Sequence, residues 1–327
     1  MRMTSTISSN QNNKSQSFIK KKFKVFWHKI LNLHETNMEV GLCHYYMDNN
    51  FDATIRFKLI LKFYPNDIEA QYNLGRCYMK KNKFHEAFRI FEELANRHSM
   101  AKYQWEKSIN SFNIKTIPST IINEAAHHIT TYRIYHDKKD MALHSIVLNA
   151  LSNHQDTEKK LNILHICCGI GEIGTFLKKA SIECDIFGID TAPIATEHCE
   201  KLWFHKTGKV YKKTQTRSTT KLLDPMESLY NAVFCTERIS YHANLEKILK
   251  KFKQFLHQNG IIVIALFNTE NNDVEFNEIH DYFQFSQEYV KSTAEKISLE
   301  VLDIYNSKGN FSTANNNSSL YIMQLKN

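Results

Sequence analysis

The residues whose types and spacing point to chemistry lie between Leu161 and Asp190. An apolar run (Leu161, Ile163, Leu164, Ile166) gives way to Gly169, Gly171 and Gly174, and a helix is predicted over residues 172–179. A strand, a tight turn and a helix start aim free N–H groups at one point, as a ligand site requires. A second short strand, residues 185–189, ends in Asp190 and Thr191. A carboxylate at the tip of the second strand suits the paired hydroxyls of a ribose. The segment is therefore expected to hold a nucleoside cofactor. Gly169, Gly171 and Gly174 also spell the dinucleotide fingerprint, so a nicotinamide cofactor and hydride transfer stay open here.

The chain beyond supplies further candidates. Residues 230–237 (YNAVFCTE) read as another strand and its exit, bringing Cys235 and Glu237 to the same edge. Tyr241 and His242 precede a helix whose core spacing is Leu245, Ile248, Leu249, Phe252, Phe255 and Leu256. A turn is expected at Gln258-Asn259-Gly260. The apolar run at residues 261–267 then reads as a buried parallel strand. A loop over 268–278, a helix over 287–297 and an antiparallel strand pair at 300–305 and 320–325 complete the chain.

This layout resembles the class I S-adenosylmethionine-dependent methyltransferases, whose sheet ends in such an antiparallel pair. The family's first motif is an acidic residue followed by alternating glycines; His165, Cys167, Gly169 and Gly171 stand in those four places. The resemblance implies S-adenosylmethionine as cofactor, with backbone 167–171 under its methionine part and Asp190, beside Thr191, on its ribose. Cys235 to Glu237 would flank the methyl group. Methyl transfer from a sulfonium is a direct displacement from a cationic leaving group, so alignment and exclusion of water matter most. Glu237, Tyr241 and His242 are the candidates to orient or deprotonate an acceptor; the alternative for Tyr241 and His242 is simple packing at a helix start. Three places depart from the family. His165 replaces the acid, Cys167 puts a Cβ where close approach favours glycine, and Arg217 and Ser218 stand where an acid reads adenine. Weak cofactor binding is expected. The alternatives are a catalytically inactive repeat-based adaptor and an NAD-dependent oxidoreductase. Strand order decides the latter, because the methyltransferase sheet inserts an antiparallel strand beside the fifth.

The elements ahead of this region must position it. A chain of 327 residues has room for two domains. A period of 34 links Gly41 to Gly75, Cys43 to Cys77, Ala53 to Ala87 and Phe57 to Phe91. The second copy resembles the tetratricopeptide repeat through Leu74, Gly75, Tyr78, Phe84, Ala87 and Phe91; the first is weaker, and a third unit near Lys102 is expected to cap the array. Such repeats ahead of such a domain match a bacterial subgroup of methyltransferases. The expected domains are a disordered tail (1–17), a helical repeat domain (18–112), a linker with helical lead-in (113–160) and a doubly wound α/β methyltransferase domain (161–327). The repeats imply a concave surface for a protein partner; the alternative is an array that only packs on the next domain.

Composition bounds the rest. Net charge is +8, of which residues 1–35 carry +6, so nucleic acid or an acidic surface stays open only for that basic N-terminal segment. No apolar run reaches the ~20 residues of a membrane span. Seven cysteines without a C-x-x-C pair, and a polar start without a secretory core, point to a reducing cytoplasm. His128, His136 and His144 share a helical face but have no convergent acid or cysteine in the sequence, so no metal site is expected.

Overall fold

The structure is a computed structural model. It describes residues 33–326 apart from 111–113, 115–116, 137–140, 206–207, 219–220, 225–228, 237–238, 272 and 308–316. The predicted tail, the first residues of the expected repeat domain up to 32, and Glu237 lie outside the described residues.

The repeat begins with two helical hairpins, α1 (Leu33–Tyr46) with α2 (Asn50–Phe63) and α3 (Ile68–Lys80) with α4 (Phe84–Leu94), followed by α5 (Ser99–Asn110). The 34-residue period has a steric origin. A Cβ on Gly41 would lie 2.8 Å from Phe57, and one on Gly75 would lie 2.7 Å from Phe91. Each hairpin closes through a glycine on its first helix and a fully buried phenylalanine on its second. Asp67 caps α3 by accepting the Ala70 N–H at 2.7 Å, which satisfies one free donor of the first turn.

Next come α6 (Ser119–His136) and α7 (Met141–His154), then a mixed sheet with helices on both faces. Its strands are β1 (Leu161–Ile166), β2 (Cys184–Asp190), β5 (Lys213–Thr216), β6 (Tyr230–Cys235), β7 (Leu256–Asn268), β10 (Leu299–Ser307) and β11 (Ser318–Leu325), with α8 (Glu172–Lys179) and α9 (Pro193–Lys201) between the first ones. A two-residue ribbon, β3 (Trp203–Phe204) with β4 (Gly208–Lys209), precedes β5. Helix α10 (Leu245–Gln254) precedes β7, and α11 (Gln287–Lys296) precedes β10. The order across the sheet is β10-β11-β7-β6-β1-β2-β5. The strands from β5 to β7 are parallel, while β11 runs antiparallel to both β7 and β10.

Alternate residues of β1 enter two cores. Leu164 and Ile166 pack with Leu245, Leu249 and Phe252 of α10. Leu161 and Ile163 pack with Val147 and Leu151 of α7 and Leu177 of α8. Two details differ from the sequence expectation. The turn expected at 258–260 is already part of β7, where the register with β6 shifts between Tyr230 and Ala232. The loop expected over 268–278 contains β8 (Val274–Asn277), which pairs with β9 (Tyr282–Phe285); β9 continues beside the end of β7.

The first helices of the repeat units face the rest of the chain. Arg76 of α3 is buried under the rings of Tyr45, Tyr46 and Tyr72 and donates to Glu124 of α6 at 2.7 Å. Lys107 of α5 donates to Asp281 in the β8–β9 turn at 2.9 Å and to the Glu278 carbonyl at 2.7 Å. Gln104 donates to the other Asp281 oxygen at 3.1 Å. Of the two expectations for the array, packing on the following domain is what this face does.

Candidate cofactor site

The bend after Ile166 is built from left-handed backbone. Cys167 has φ 57°, Gly169 φ 53° and Gly171 φ 75°. For the glycines this conformation has no steric cost, whereas a residue with a Cβ meets the neighbouring carbonyl. The loop is held from the second strand. Asp190 accepts the Gly169 N–H at 3.0 Å with one carboxylate oxygen and the Ala192 N–H at 2.9 Å with the other. The Cys168 N–H donates to the Ile189 carbonyl at 3.1 Å. Asp190 is fully buried and spans the two turns, so it anchors the loop; Thr191 beside it is half-buried.

His165, at the end of β1, is buried with Nδ1 2.8 Å from the Tyr211 hydroxyl. The two rings stack, and Phe234 meets the imidazole edge-on. Burial pushes the Tyr211 phenol well above its usual range, so it stays an O–H. Tyr211 also lies under the first turn of α8, where a Cβ on Gly174 would meet its ring at 2.8 Å. Sequence reasoning missed this tyrosine, because nothing in YKKTQT marks it as the floor of the glycine loop.

The Cys167 side chain belongs to an apolar cluster with Ile121 and Ile122 of α6, Ile189, and Cys235 at the end of β6. Helix α6 therefore covers the C-terminal edge of the parallel strands. Ala126 packs on Ala192 and Ala195 at the start of α9. Two turns further, Arg133 forms a buried ion pair with Glu172, the first residue of α8. Between Arg133, His165, Cys168, Ile170, Glu172 and Thr236 remains a cavity of about 10 Å³. That is the scale of one water site.

The remaining candidates stand at the same edge. Tyr241 ends a short 3₁₀ turn (Ile239–Tyr241) and packs against the Cys167 cluster. The next residue, His242, is half-buried; burial, with Lys247 adding to it, lowers its pKa and keeps the imidazole neutral at neutral pH. Asn244 caps α10 by accepting the Lys247 N–H at 2.9 Å. Arg217, read as the residue in the adenine-reading place, donates to Gln215 and to the Asp224 carbonyl.

The sheet order places antiparallel β11 between β7 and β10, beside the fifth parallel strand, and residues 157–316 match the family model described as a methyltransferase domain. The chain carries a methyltransferase domain. An oxidoreductase fold of the nicotinamide type is set aside by the same strand. Ahead of the methyltransferase domain, residues 69–99 match a tetratricopeptide repeat model. No curated protein matches the chain. Among solved structures it is similar to the 1,6-didemethyltoxoflavin-N1-methyltransferase of Burkholderia thailandensis, at 12% identity over 59% of this chain and 81% of that one, with a TM-score of 0.45. An S-adenosylmethionine-dependent methyltransferase of Clostridium acetobutylicum gives 11% identity over 61% and 97%, with a TM-score of 0.44. The magnesium protoporphyrin IX methyltransferase of Synechocystis gives 10% over 73% and 97%, with a TM-score of 0.43.

His128 and His144, expected on one helical face, lie on separate helices, α6 and α7. His127 and His128 of α6 instead meet Glu39, and His128 meets Cys43, both on α1. These partners lie more than 80 residues away in sequence, where helical spacing cannot reveal them. Among the described residues no helix is long and apolar enough to cross a membrane.

Proposed function

We propose that this protein is an S-adenosylmethionine-dependent methyltransferase in which α6 packs over the cofactor loop and limits entry to it. The sheet order, together with the glycine bend tied to Asp190, supports the assignment. The residue types at the bend fit an adenosyl sulfonium. Cys167, Ile121 and Ile122 fill the edge of the sheet, and Arg133 with Glu172 closes the far side. Cofactor entry requires α6 to withdraw from the loop. Tyr241 and His242 remain the candidates to orient or deprotonate an acceptor, together with Glu237.

The apolar packing of Cys167 with Ile121 and Ile122 also favours a second reading, a catalytically inactive repeat-based adaptor. In that case the buried Asp190 and the cysteine-filled bend are permanent structure. The repeats suit a protein partner or protein acceptor. Because their first helices already engage α6 and the Asp281 turn, such a partner either displaces these contacts or uses another face. All seven cysteines are buried free thiols, in keeping with a reducing, cytoplasmic setting in a bacterial cell.

Calorimetric titration of the full chain with S-adenosylmethionine, with Asp190→Ala as control, separates the two. Heat that disappears in the control supports the enzyme. No heat at millimolar cofactor leaves the adaptor.

A further inference from the structure

Two adjacent histidines of α6 converge on one carboxylate of α1. Nδ1 of His128 lies 3.2 Å from Oε1 of Glu39, and Nε2 of His127 lies 3.6 Å from the same oxygen. One ligand atom from each of the three residues falls within 4.8 Å of the other two. Consecutive helical residues normally diverge by about 100° around the axis. Here both rings turn towards one point and meet edge-on at 4.9 Å between centroids.

The spacing is that of a ligand set. With metal–nitrogen and metal–oxygen bonds of about 2.0–2.2 Å in a tetrahedral site, neighbouring donor atoms stand roughly 3.3–3.6 Å apart. Both measured separations fall in or next to that range. The donor chemistry, two imidazoles and one carboxylate, suits a borderline divalent cation rather than calcium or magnesium, which prefer all-oxygen shells. The surroundings are built as well. His128 is buried and stacks on Tyr46 at 6.0 Å with an interplanar angle of 8°, which fixes its ring. Cys43, one helical turn beyond Glu39, closes the back of the site with Sγ 4.0 Å from Nδ1 of His128. Glu39 and His127 are 46% and 44% exposed, so the front is open to solvent and to an entering ion.

We propose that Glu39, His127 and His128 form a divalent transition-metal site, zinc being the ion best suited, with water in the fourth position. Bound there, the ion staples α1 of the repeat to α6, the same helix that covers the glycine loop. The site stands apart from the cofactor cleft and does not depend on catalysis.

The test uses the untagged, metal-stripped full chain, titrated with Zn²⁺ alone by calorimetry and followed by thermal unfolding. His127→Ala and Glu39→Gln, both at half-exposed positions, are the comparison variants, chosen because they leave the buried core intact. The expected result is one equivalent bound at micromolar affinity or tighter, a rise of several degrees in the unfolding midpoint, and at least tenfold weaker binding in each variant. Co²⁺ in place of Zn²⁺ should give visible absorption typical of a four-coordinate ion, lost in the same variants. Absence of binding to the unaltered chain overturns the proposal. So does binding that both variants retain at full affinity, which would place the ion elsewhere.

Discussion

Arg76 of the repeat and Glu124 of α6 lie 2.7 Å apart, with the guanidinium buried beneath three tyrosine rings. This pair joins the helix that covers the glycine loop to the array ahead of it. Burial alone would raise the Glu124 pKa, but the Arg76 charge and the hydrogen bonds from Arg76 and Tyr46 outweigh it and hold the carboxyl below its usual range. Removing the carboxylate leaves a buried cation without its counter-charge. Glu124→Gln should therefore cost about 3 kcal/mol in unfolding free energy. Tyr46→Phe, which removes a hydroxyl that donates to the Glu124 carboxylate and accepts from the Arg76 guanidinium, should cost about 2 kcal/mol. Urea unfolding of the two variants checks the ranking.

Asp48 gives the clearest pH dependence. Burial pushes its pKa up, but His280 and Lys80 overcome this and hold it at about 2. A folded-state pKa below the unfolded value stabilises the protein above pH ~4, and that contribution is lost as pH falls from there towards 2. The size is about 2 kcal/mol. Asp48→Asn should flatten the acid limb of the stability curve by that amount while leaving its shape above pH 5 unchanged.

Gly75 should tolerate no side chain. Alanine has the better helix propensity by about 1 kcal/mol. Its Cβ, however, would sit 2.7 Å from the ring of Phe91, which is fully buried and cannot retreat freely. Overpacking of this kind costs about 1–3 kcal/mol. Gly75→Ala should thus lower stability by about 1 kcal/mol on balance, and Gly75→Ala with Phe91→Leu should behave non-additively in denaturant titrations.

Much of this architecture was readable before any coordinates. The 34-residue period survives because Gly41 and Gly75 meet the same ring, and the parallel strands show as apolar runs because both their faces are buried. The β8–β9 hairpin escaped, since Val274–Asn277 is short, half-buried and half polar, and Tyr282–Phe285, though mostly buried, is only four residues long. At the candidate site the glycines and Asp190 were legible as local motifs. The floor made by Tyr211, the Arg133–Glu172 pair and the meeting of His127 and His128 with Glu39 were not, because each joins residues that only the folded chain brings together. Asp190 was expected on a ribose; in the described conformation its oxygens accept the Gly169 and Ala192 N–H groups.

Cys167 tests whether the bend is merely strained or is shaped for closure. Its left-handed backbone costs about 1–2 kcal/mol, which glycine would relieve. Losing the buried thiol removes a similar amount of apolar burial. Cys167→Gly should leave stability within about 1 kcal/mol of the parent protein and open space at the loop. Tighter binding of S-adenosylmethionine in this variant is the expected outcome of a paired thermal-unfolding and calorimetry experiment.

The most direct measurement is the calorimetric affinity for S-adenosylmethionine of the full chain, of Arg133→Gln, which loosens the tie between α6 and the glycine loop, and of Asp190→Ala, which removes the loop's anchor. A methyltransferase closed by α6 should bind weakly, bind at least several-fold more tightly in Arg133→Gln, and not bind in Asp190→Ala. Silence in all three at millimolar cofactor would contradict the assignment. Equal affinity in the parent and Arg133→Gln would contradict closure by α6.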